Sequence, residues 1–375
     1  MTAAIRRPAL ARGASSWLAG IVLLGGCGGG DDPAGRLAPG AAAPPGRPSA
    51  AEAQSAAEQG RARAAAADVG AAPGPSARRK VRARDWKGVT ALGMSRAGDV
   101  IAAADDKGRV RLVGTADARL RATLAAHPGS SATGVVFGPD GRTLVSVGRD
   151  SLGAVWSVAD GRRLRSLHGH EHPVRAVATS ADGALLVTGG EETRVMVWNA
   201  TTGRLLKVLY GASDFVNAVA FSPDGQRVAA GDAAGRIVVW DTETEAVHAT
   251  LLGHAGEINT VAFSPDGQTL ASAGTDTRVL VWNVATSQQT GTLQGHRAAV
   301  RSLAFAPDDG TLASAGEDGT IEIWDTSQAR STRRLAGAGG AINALAFHPA
   351  NANLLFAGAE NGLLTTWNVA LGTSN

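Results

Sequence analysis

The sequence predicts an all-β protein built from many short antiparallel strands. The pattern is clearest between residues 295 and 325, where three apolar runs follow one another at Val300–Phe305, Thr311–Ala315 and Thr320–Trp324. Turns of the Pro-Asp-Asp-Gly and Glu-Asp-Gly type separate these runs, which is typical of strands joined by hairpins. Because the runs are apolar at nearly every position, both faces of the resulting sheet should be covered.

The same unit recurs along most of the chain. Tryptophan closes a similar run at intervals of 42 or 43 residues, at Trp156, Trp198, Trp240, Trp282, Trp324 and Trp367. One unit further upstream, Val113 takes the place of the tryptophan. A sheet of three or four strands cannot cover its own faces, so each unit needs neighbours like itself. A fixed period of this length, with Gly-His early and Trp-Asp late, indicates four-stranded propeller blades.

These repeated residues resemble those of the WD-repeat β-propeller family. Seven units in register span roughly residues 78–370, so the resemblance is specific. It implies an all-β fold in which seven four-stranded antiparallel blades form a closed ring over residues 78–375. It also implies that an N-terminal strand within Arg78–Arg84 completes the last blade, which otherwise ends with three strands. Such closure removes two free sheet edges.

The resemblance further implies a hydrogen-bonded tetrad of His, Ser or Thr, an acid and Trp in a complete blade. The matching tetrads are His254, Ser272, Asp276 and Trp282; His296, Ser314, Asp318 and Trp324; and, with Glu for Asp, His170, Thr188, Glu192 and Trp198. In the Trp156 blade the only candidate histidine, His127, is displaced by one residue. The Trp240 blade keeps only its tryptophan, and the first and last blades lack the tetrad.

No group of residues in the sequence has the pattern of a catalytic site. The Ser-His-Asp combinations belong to the tetrads, where the hydroxyls should be buried and unsuited to nucleophilic attack. His168, His170 and His172 alternate like metal ligands, but His170 is already needed for a tetrad. The glycines near residue 340 lack the Gly-Lys-Ser/Thr of a phosphate loop. We therefore predict no catalytic residue, no metal site and no cofactor.

The first 27 residues have the features of an export signal. Three arginines precede the apolar stretch Trp17–Leu24, which is too short to span a bilayer. The sequence Leu-Gly-Gly-Cys27 resembles a bacterial lipobox, which implies that Cys27 becomes lipidated. An ordinary signal peptide is the alternative, and Arg6-Arg7 weakly suggests twin-arginine export. We expect a lipid-anchored protein of the bacterial cell envelope, on the outer membrane rather than the inner one.

Residues 28–77 contain mostly Ala, Gly, Pro and Ser, with few large apolar side chains. Such a segment cannot form a core, so we predict a disordered tether that spans on the order of 40 Å. Cys27 is the only cysteine, so no disulfide forms within the chain. The 36 Lys and Arg nearly balance the 33 Asp and Glu, and this balance argues against a nucleic-acid partner.

The remaining candidates for function lie on the surface. The family resemblance implies that side chains flanking the first apolar residue of each inner strand face partners. The candidate partner-binding residues are Arg175, Phe215, Asn217, Glu257, Asn259, Arg301 and Asn343. Because Arg and aromatic side chains anchor interfaces, we predict a monomeric, non-catalytic scaffold that binds other proteins. The alternatives are an enzyme or small-ligand binder at the channel mouth, and an intracellular scaffold with a false leader.

Overall fold

The computed structural model describes residues 79–81, 88–336 and 339–370. In this part of the chain all regular structure is β-strand, arranged as seven four-stranded antiparallel sheets. The predicted seven-bladed propeller is therefore confirmed. The predicted signal peptide (1–27) and tether (28–77) lie outside the described residues. No helix within the described ranges is long and apolar enough to cross a membrane.

The blades follow one another along the chain, and each runs from an inner strand to an outer one. Blades 1 to 6 comprise β2–β5, β6–β9, β10–β13, β14–β17, β18–β21 and β22–β25, and blade 7 comprises β26–β28 and β1. The strands are β1 Arg79–Val81, β2 Val89–Met94, β3 Val100–Asp105, β4 Arg109–Gly114, β5 Leu120–Ala125, β6 Ala132–Phe137, β7 Thr143–Gly148, β8 Gly153–Ser157, β9 Arg163–Leu167, β10 Val174–Thr179, β11 Leu185–Gly190, β12 Glu192–Asn199, β13 Leu205–Tyr210, β14 Val216–Phe221, β15 Arg227–Asp232, β16 Arg236–Asp241, β17 Val247–Leu252, β18 Ile258–Phe263, β19 Thr269–Gly274, β20 Arg278–Asn283, β21 Gln288–Gln294, β22 Val300–Phe305, β23 Thr311–Gly316, β24 Thr320–Asp325, β25 Arg330–Ala336, β26 Ile342–His348, β27 Asn351–Ala359 and β28 Leu364–Asn368.

The ring is closed at its inner edge. The first strand of each blade contacts the first strand of the next, and β26 of blade 7 contacts β2 of blade 1. The apolar clusters lie between adjacent blades: Trp324 of blade 6 packs with Val279 and Val281 of blade 5. Trp198, Trp240 and Trp324 are each at most 1% exposed. This packing on both faces explains why the strands are apolar at nearly every position.

The last blade is completed by the N-terminal strand, as the sequence predicts. β1 pairs antiparallel with β28, with Arg79 opposite Thr366, Lys80 opposite Thr365 and Val81 opposite Leu364. This strand has three residues, whereas the outer strands of the other blades have five to seven. The ring therefore closes through one short antiparallel ladder between residues far apart in sequence.

Two truncations test this closure. A chain that starts at residue 76 keeps β1 and should melt at the temperature of the full chain. A chain that starts at residue 85 loses β1, which exposes the edge of β28 and opens the ring. We expect its melting temperature to fall by at least about 5 °C, measured by circular dichroism. Equal melting temperatures for the two truncations would contradict the role of β1.

Candidate functional site at the bulged rim

The seven inner strands share an irregularity that aims one side chain out of the ladder. In each blade the register between the first and second strands shifts after the first residue of the inner strand. The residue that follows is therefore the extra residue of a β-bulge, which leaves the ladder and re-aims its side chain. The bulged residues are Thr90, Thr133, Arg175, Asn217, Asn259, Arg301 and Asn343. We call them, with the residue two positions before each, the bulged rim.

Most side chains at these positions join one blade to the next. In the described ranges, five of the seven seams carry such a hydrogen bond, with donor–acceptor distances of 2.5 to 2.9 Å. The bonds are Thr90 Oγ1 to Ala132 O, Thr133 Oγ1 to Val174 O, Arg175 Nη1 to Asn217 Oδ1, Asn259 Nδ2 to Val300 O, and Asn343 Nδ2 to Val89 O. The seam between blades 6 and 7 is joined instead by Ser302, the residue after the bulged Arg301, whose Oγ accepts from Leu345 N at 3.0 Å. Sequence reasoning missed this role, although the bulged positions recur at intervals of 42 or 43 residues.

The seam between blades 4 and 5 differs from the others. Asn217 occupies the bulged position there, and its Oδ1 accepts a hydrogen bond from Arg175 Nη1 at 2.8 Å. Its Nδ2 is buried and has no partner among the described residues. The equivalent amide of Asn259 donates to the next blade at 2.8 Å. Asn217 is thus held by Arg175 of blade 3. Its buried Nδ2 donor lowers the free energy of unfolding of the chain, because a buried donor without an acceptor is unfavourable.

Blades 2 to 4 form the most elaborate part of the bulged rim. Glu191 accepts hydrogen bonds from Arg149 at 2.9 Å and from Arg175 at 2.9 Å. The Arg175 guanidinium lies 5.9 Å from the centre of the Phe215 ring, within the range of a cation–π contact. Phe215 is nevertheless 43% exposed. Two predicted residues, Arg175 and Phe215, are thus brought together on the surface.

The other predicted rim residues are separate from this cluster. Glu257 is exposed, and Arg301 forms an exposed ion pair with Glu317. The amides of Asn259 and Asn343 are used for the inter-blade bonds described above. Partner binding by these four residues stays a prediction, and the two asparagines also have a structural role.

The predicted tetrads are formed. In blade 5, His254 Nδ1 lies 2.9 Å from Asp276, and His254 Nε2 and Trp282 Nε1 each lie 2.9 Å from Ser272 Oγ. Blade 6 repeats this arrangement with His296, Ser314, Asp318 and Trp324. In blade 3 the longer Glu192 still reaches His170, at 2.5 Å. The substitution of Glu for Asp therefore preserves the network, and Glu192 also pairs with Arg194.

A fourth tetrad forms around His127, despite its displacement by one residue in the sequence. His127 Nδ1 lies 2.9 Å from Asp150, and its Nε2 lies 3.0 Å from Ser146 Oγ. Trp156 Nε1 donates to the same hydroxyl at 2.9 Å. The Pro-Gly-containing loop after His127 absorbs the difference in length. A tetrad histidine can therefore stand one residue away from its position in the other blades.

Two blades without a tetrad contain a buried aspartate that performs a similar task. Asp232 of blade 4 accepts hydrogen bonds from the backbone and hydroxyl of Ser213, both at 3.0 Å. Asp105 of blade 1 pairs with Arg111 at 2.7 Å, and both side chains are at most 5% exposed. Sequence reasoning missed both aspartates. The signal was present, since Asp stands where the complete blades have Gly at the end of the second strand.

The tryptophans of the incomplete blades find other acceptors. In blade 4, Trp240 Nε1 donates to the backbone carbonyl of Tyr210 at 2.8 Å. In blade 7, Trp367 Nε1 donates to Thr365 Oγ1 at 3.0 Å. The indole N–H is therefore satisfied in every blade that has a tryptophan, which agrees with the cost of leaving a buried donor unpaired.

The tetrads have the residue types of a catalytic triad but not its accessibility. Ser146, Ser272 and Ser314 are completely buried, and each hydroxyl is already bonded to a histidine and a tryptophan. Burial lowers the pKa of His127, His170 and His254, although the adjacent carboxylate opposes that shift in each case. A neutral imidazole then donates a hydrogen bond from Nδ1 to the acid and accepts a hydrogen bond from the hydroxyl at Nε2. This arrangement is a rigid brace between strands.

No cluster of metal-ligating side chains is found within the described ranges. His170, the central residue of the His-Gly-His-Glu-His sequence, lies in its tetrad. An open depression between blades 5 and 6 is lined by residues that include Asp276, Arg278 and His296. Asp276 and His296 are bonded within their own tetrads, and Arg278 pairs with Asp276.

A ring of seven blades, four of them braced by a His–hydroxyl–acid–Trp network, defines a repeat propeller. The family described as WD domain, G-beta repeat (WD40) matches residues 118–157, 161–199, 203–241, 246–283 and 287–325. Together these matches cover more than half of the 375-residue chain, and the chain belongs to the WD40-repeat family. The first three strands of blade 1 and all of blade 7, the first and last blades, which lack the tetrad, lie outside the matches. No curated protein matches the chain.

The lowered histidine pKa values predict how stability depends on pH. An unfolded histidine takes up a proton near pH 6.5, but the folded chain resists protonation of His127, His170 and His254. The unfolded state therefore binds more protons, and stability is lost as pH falls below about 6.5. We expect the melting temperature to decrease steadily from about pH 7.5 to about pH 5.5.

One histidine variant and a surface control separate this effect from general acid sensitivity. His254→Gln should lower the melting temperature at neutral pH and reduce its change between the two pH values. His172→Gln, which alters an exposed histidine, should leave both quantities close to those of the parent chain. A melting temperature that is constant or rises towards acid would refute the assignment.

Proposed function

We propose that this protein is a non-catalytic scaffold that binds other proteins through its bulged rim, with Arg175 and Phe215 as the main contact. The observation that supports this most is the exposed Phe215 ring, 43% accessible and held beside the Arg175 guanidinium. Exposed aromatic and arginine side chains with fixed geometry are typical anchors of protein interfaces. WD40 propellers are typically non-catalytic scaffolds that bind other proteins.

The supporting residues fix the position of this contact. Arg175 is held by Glu191 on one side and by Asn217 Oδ1 on the other. Arg149 reaches Glu191 from blade 2. Because the guanidinium is held in advance, a partner would order few additional side chains on binding, which lowers the entropic cost. A carboxylate or a carbonyl-rich loop on the partner would suit the remaining exposed edge of Arg175.

A small-ligand binder at the channel mouth is the second candidate. The buried Asn217 Nδ2, which has no partner among the described residues, favours it because an acceptor group of a ligand would satisfy that donor. The rim cluster favours the scaffold more strongly, since it presents an aromatic surface outside the channel. An intracellular scaffold with a false leader is the alternative if the leader is not processed.

We also propose that a lipid on Cys27 tethers the propeller to the bacterial envelope. Support comes from the sequence alone: a basic and apolar leader, a Leu-Gly-Gly-Cys motif and one cysteine at the required place. The 50 residues from 28 to 77 would hold the propeller on the order of 40 Å from the membrane surface.

Exchange of residues between equivalent blades tests the rim without unfolding it. Arg175→Thr/Phe215→Glu places the Thr found at position 133 and the Glu found at position 257 into blades 3 and 4. Thr133 shows that threonine at this position still bonds the next blade, so the melting temperature should stay within about 3 °C of the parent. Recovery of cross-linked partners on the tagged protein should fall at least tenfold (about 1.4 kcal/mol).

The matched control is Arg301→Thr, at the same position of blade 6. Its ion pair with Glu317 is exposed and contributes little to stability. Because Arg301 lies apart from the Arg175–Phe215 contact, partner recovery should fall much less than in the double variant. Equal partner recovery for the double variant and the control would reject the Arg175–Phe215 surface as the binding site.

Cys27→Ser tests the tether. The variant should lose incorporation of labelled fatty acid and should leave the membrane fraction or accumulate as an unprocessed precursor. Gly28→Ala, which keeps the cysteine, should be labelled and retained like the parent. Retention and labelling of the Cys27→Ser chain would show that Cys27 does not carry the anchor.

A further inference from the structure

The outer strands of the blades leave free edges, and most of them carry charge. Unpaired strand edges attract other strands, and natural proteins prevent this with charged side chains. β5, β9 and β25 contain arginines, and β13 contains Lys207, which pairs with Glu245 of blade 4 at 3.2 Å. β17, with the sequence VHATLL, has no Lys, Arg, Asp or Glu. It is the outermost strand of blade 4 in the described sheets.

β17 also carries exposed apolar side chains. Val247 is 48% exposed and Leu252 is 68% exposed, at the two ends of the strand. The neighbouring outer strand, β21, is likewise uncharged but has Gln289 and Gln294 at the equivalent positions. β17 is therefore the one described outer strand that is both uncharged and apolar at both ends, which is the combination expected of an edge that pairs with another strand.

The charges around β17 indicate which partner fits. Arg236 lies beside Leu252 in the adjacent strand and is exposed, without an ion pair in the described part of the chain. Glu243 and Glu245 lie in the exposed turn before Val247. Glu245 is already paired with Lys207 of blade 3, so Glu243, which has no ion pair in the described part of the chain, supplies the acidic end opposite the basic end at Arg236. Two copies of such an edge are complementary when they run antiparallel, because each basic end then approaches an acidic end.

We propose that β17 is a self-association edge, at which a second copy of this chain pairs antiparallel across a two-fold axis near Thr250. The symmetry places Leu252 of one copy opposite the Val247–His248 bulge of the other. It also brings Arg236 of one copy towards the acidic turn of its partner. The two blade-4 sheets would join into one sheet of eight strands, in an isologous contact of the kind most homodimers use.

This proposal is independent of the proposed function and revises the monomer expected from the sequence. The paired edge lies at the outer circumference of blade 4, whereas the bulged rim lies at the start of the inner strands. A dimer would therefore present two rims and keep both open. Loss of partner binding by the rim variant with retained dimers, or the reverse, would separate the two proposals.

A single introduced cysteine gives the sharpest test, since Cys27 is the only natural one. In the full chain with Cys27→Ser, Thr250→Cys places a thiol next to the two-fold axis. Directly opposite residues in an antiparallel pair have Cα atoms about 4.5–5.5 Å apart, within reach of a disulfide. We expect a covalent dimer under mild oxidation on a non-reducing gel. The matched control is Thr292→Cys, at the equivalent position of β21, and it should form no covalent dimer on the same gel.

Substitution of Val247 and Leu252 then tests whether these apolar side chains at the ends of β17 drive dimer formation. Val247→Gln/Leu252→Gln copies the residues of β21 into β17, so the edge keeps its backbone but loses its apolar side chains. In detergent, sedimentation of the full Cys27→Ser chain should show a dimer whose dissociation constant rises at least about tenfold in this variant. Arg236→Glu should weaken the dimer, and Arg236→Glu/Glu243→Arg should restore it.

Any of four results would overturn the proposal. The first is a chain that sediments as a monomer at all concentrations while Thr250→Cys forms no disulfide. The second is equal cross-linking of the Thr250→Cys and Thr292→Cys chains, which would indicate random collision. Dimers that persist in Val247→Gln/Leu252→Gln would place the interface elsewhere, and a foreign strand captured by a monomeric parent would identify a different occupant of β17.

Discussion

The structure depends on one constraint: each blade is too small to bury its own faces and is covered only by the blades on either side. The apolar clusters therefore lie between blades, as for Trp324 against Val279 and Val281. A ring satisfies this need for all seven blades at once, but only if it closes. Closure uses the contact of β26 with β2 at the inner edge and, at the outer edge of blade 7, the pairing of β28 with β1, a strand of three residues. The burial of the ring therefore depends in part on a short ladder.

The same constraint explains the bulges at the inner strands. The blades converge at the centre, where the strands of adjacent sheets come close together, and a residue released from its own ladder can reach the next blade. Thr90, Thr133 and Asn343 use that freedom to bind a neighbouring carbonyl. Arg175 uses it differently, since its guanidinium also contacts Glu191 and lies beside Phe215. The bulges that let side chains bond the next blade thus also place Arg175 beside Phe215 in the candidate contact surface.

The fold was predictable because tryptophan recurs every 42 or 43 residues and turn residues separate the apolar runs within each repeat. The complete tetrads were predictable residue by residue, since each member stands at a fixed spacing. His127 and the buried aspartates Asp105 and Asp232 were missed, because a loop shifts one member of the tetrad in blade 2 and an aspartate replaces the network in blades 1 and 4. The inter-blade bonds of the rim depend on the bulges, which follow from backbone geometry between strands and leave no pattern of residue types within one repeat.

The distribution of the tetrads has a consequence for the motions of the ring. Blades 2 and 3 are both braced, as are blades 5 and 6, whereas blades 1, 4 and 7 lack the full network. Blade 4 also borders the seam where Asn217 Nδ2 has no partner among the described residues, and blade 7 holds the short closing strand. Local opening follows the weakest contacts. We therefore expect two stiffer sectors, blades 2 and 3 and blades 5 and 6, separated by blades that open more readily, with slow amide exchange concentrated in those two sectors.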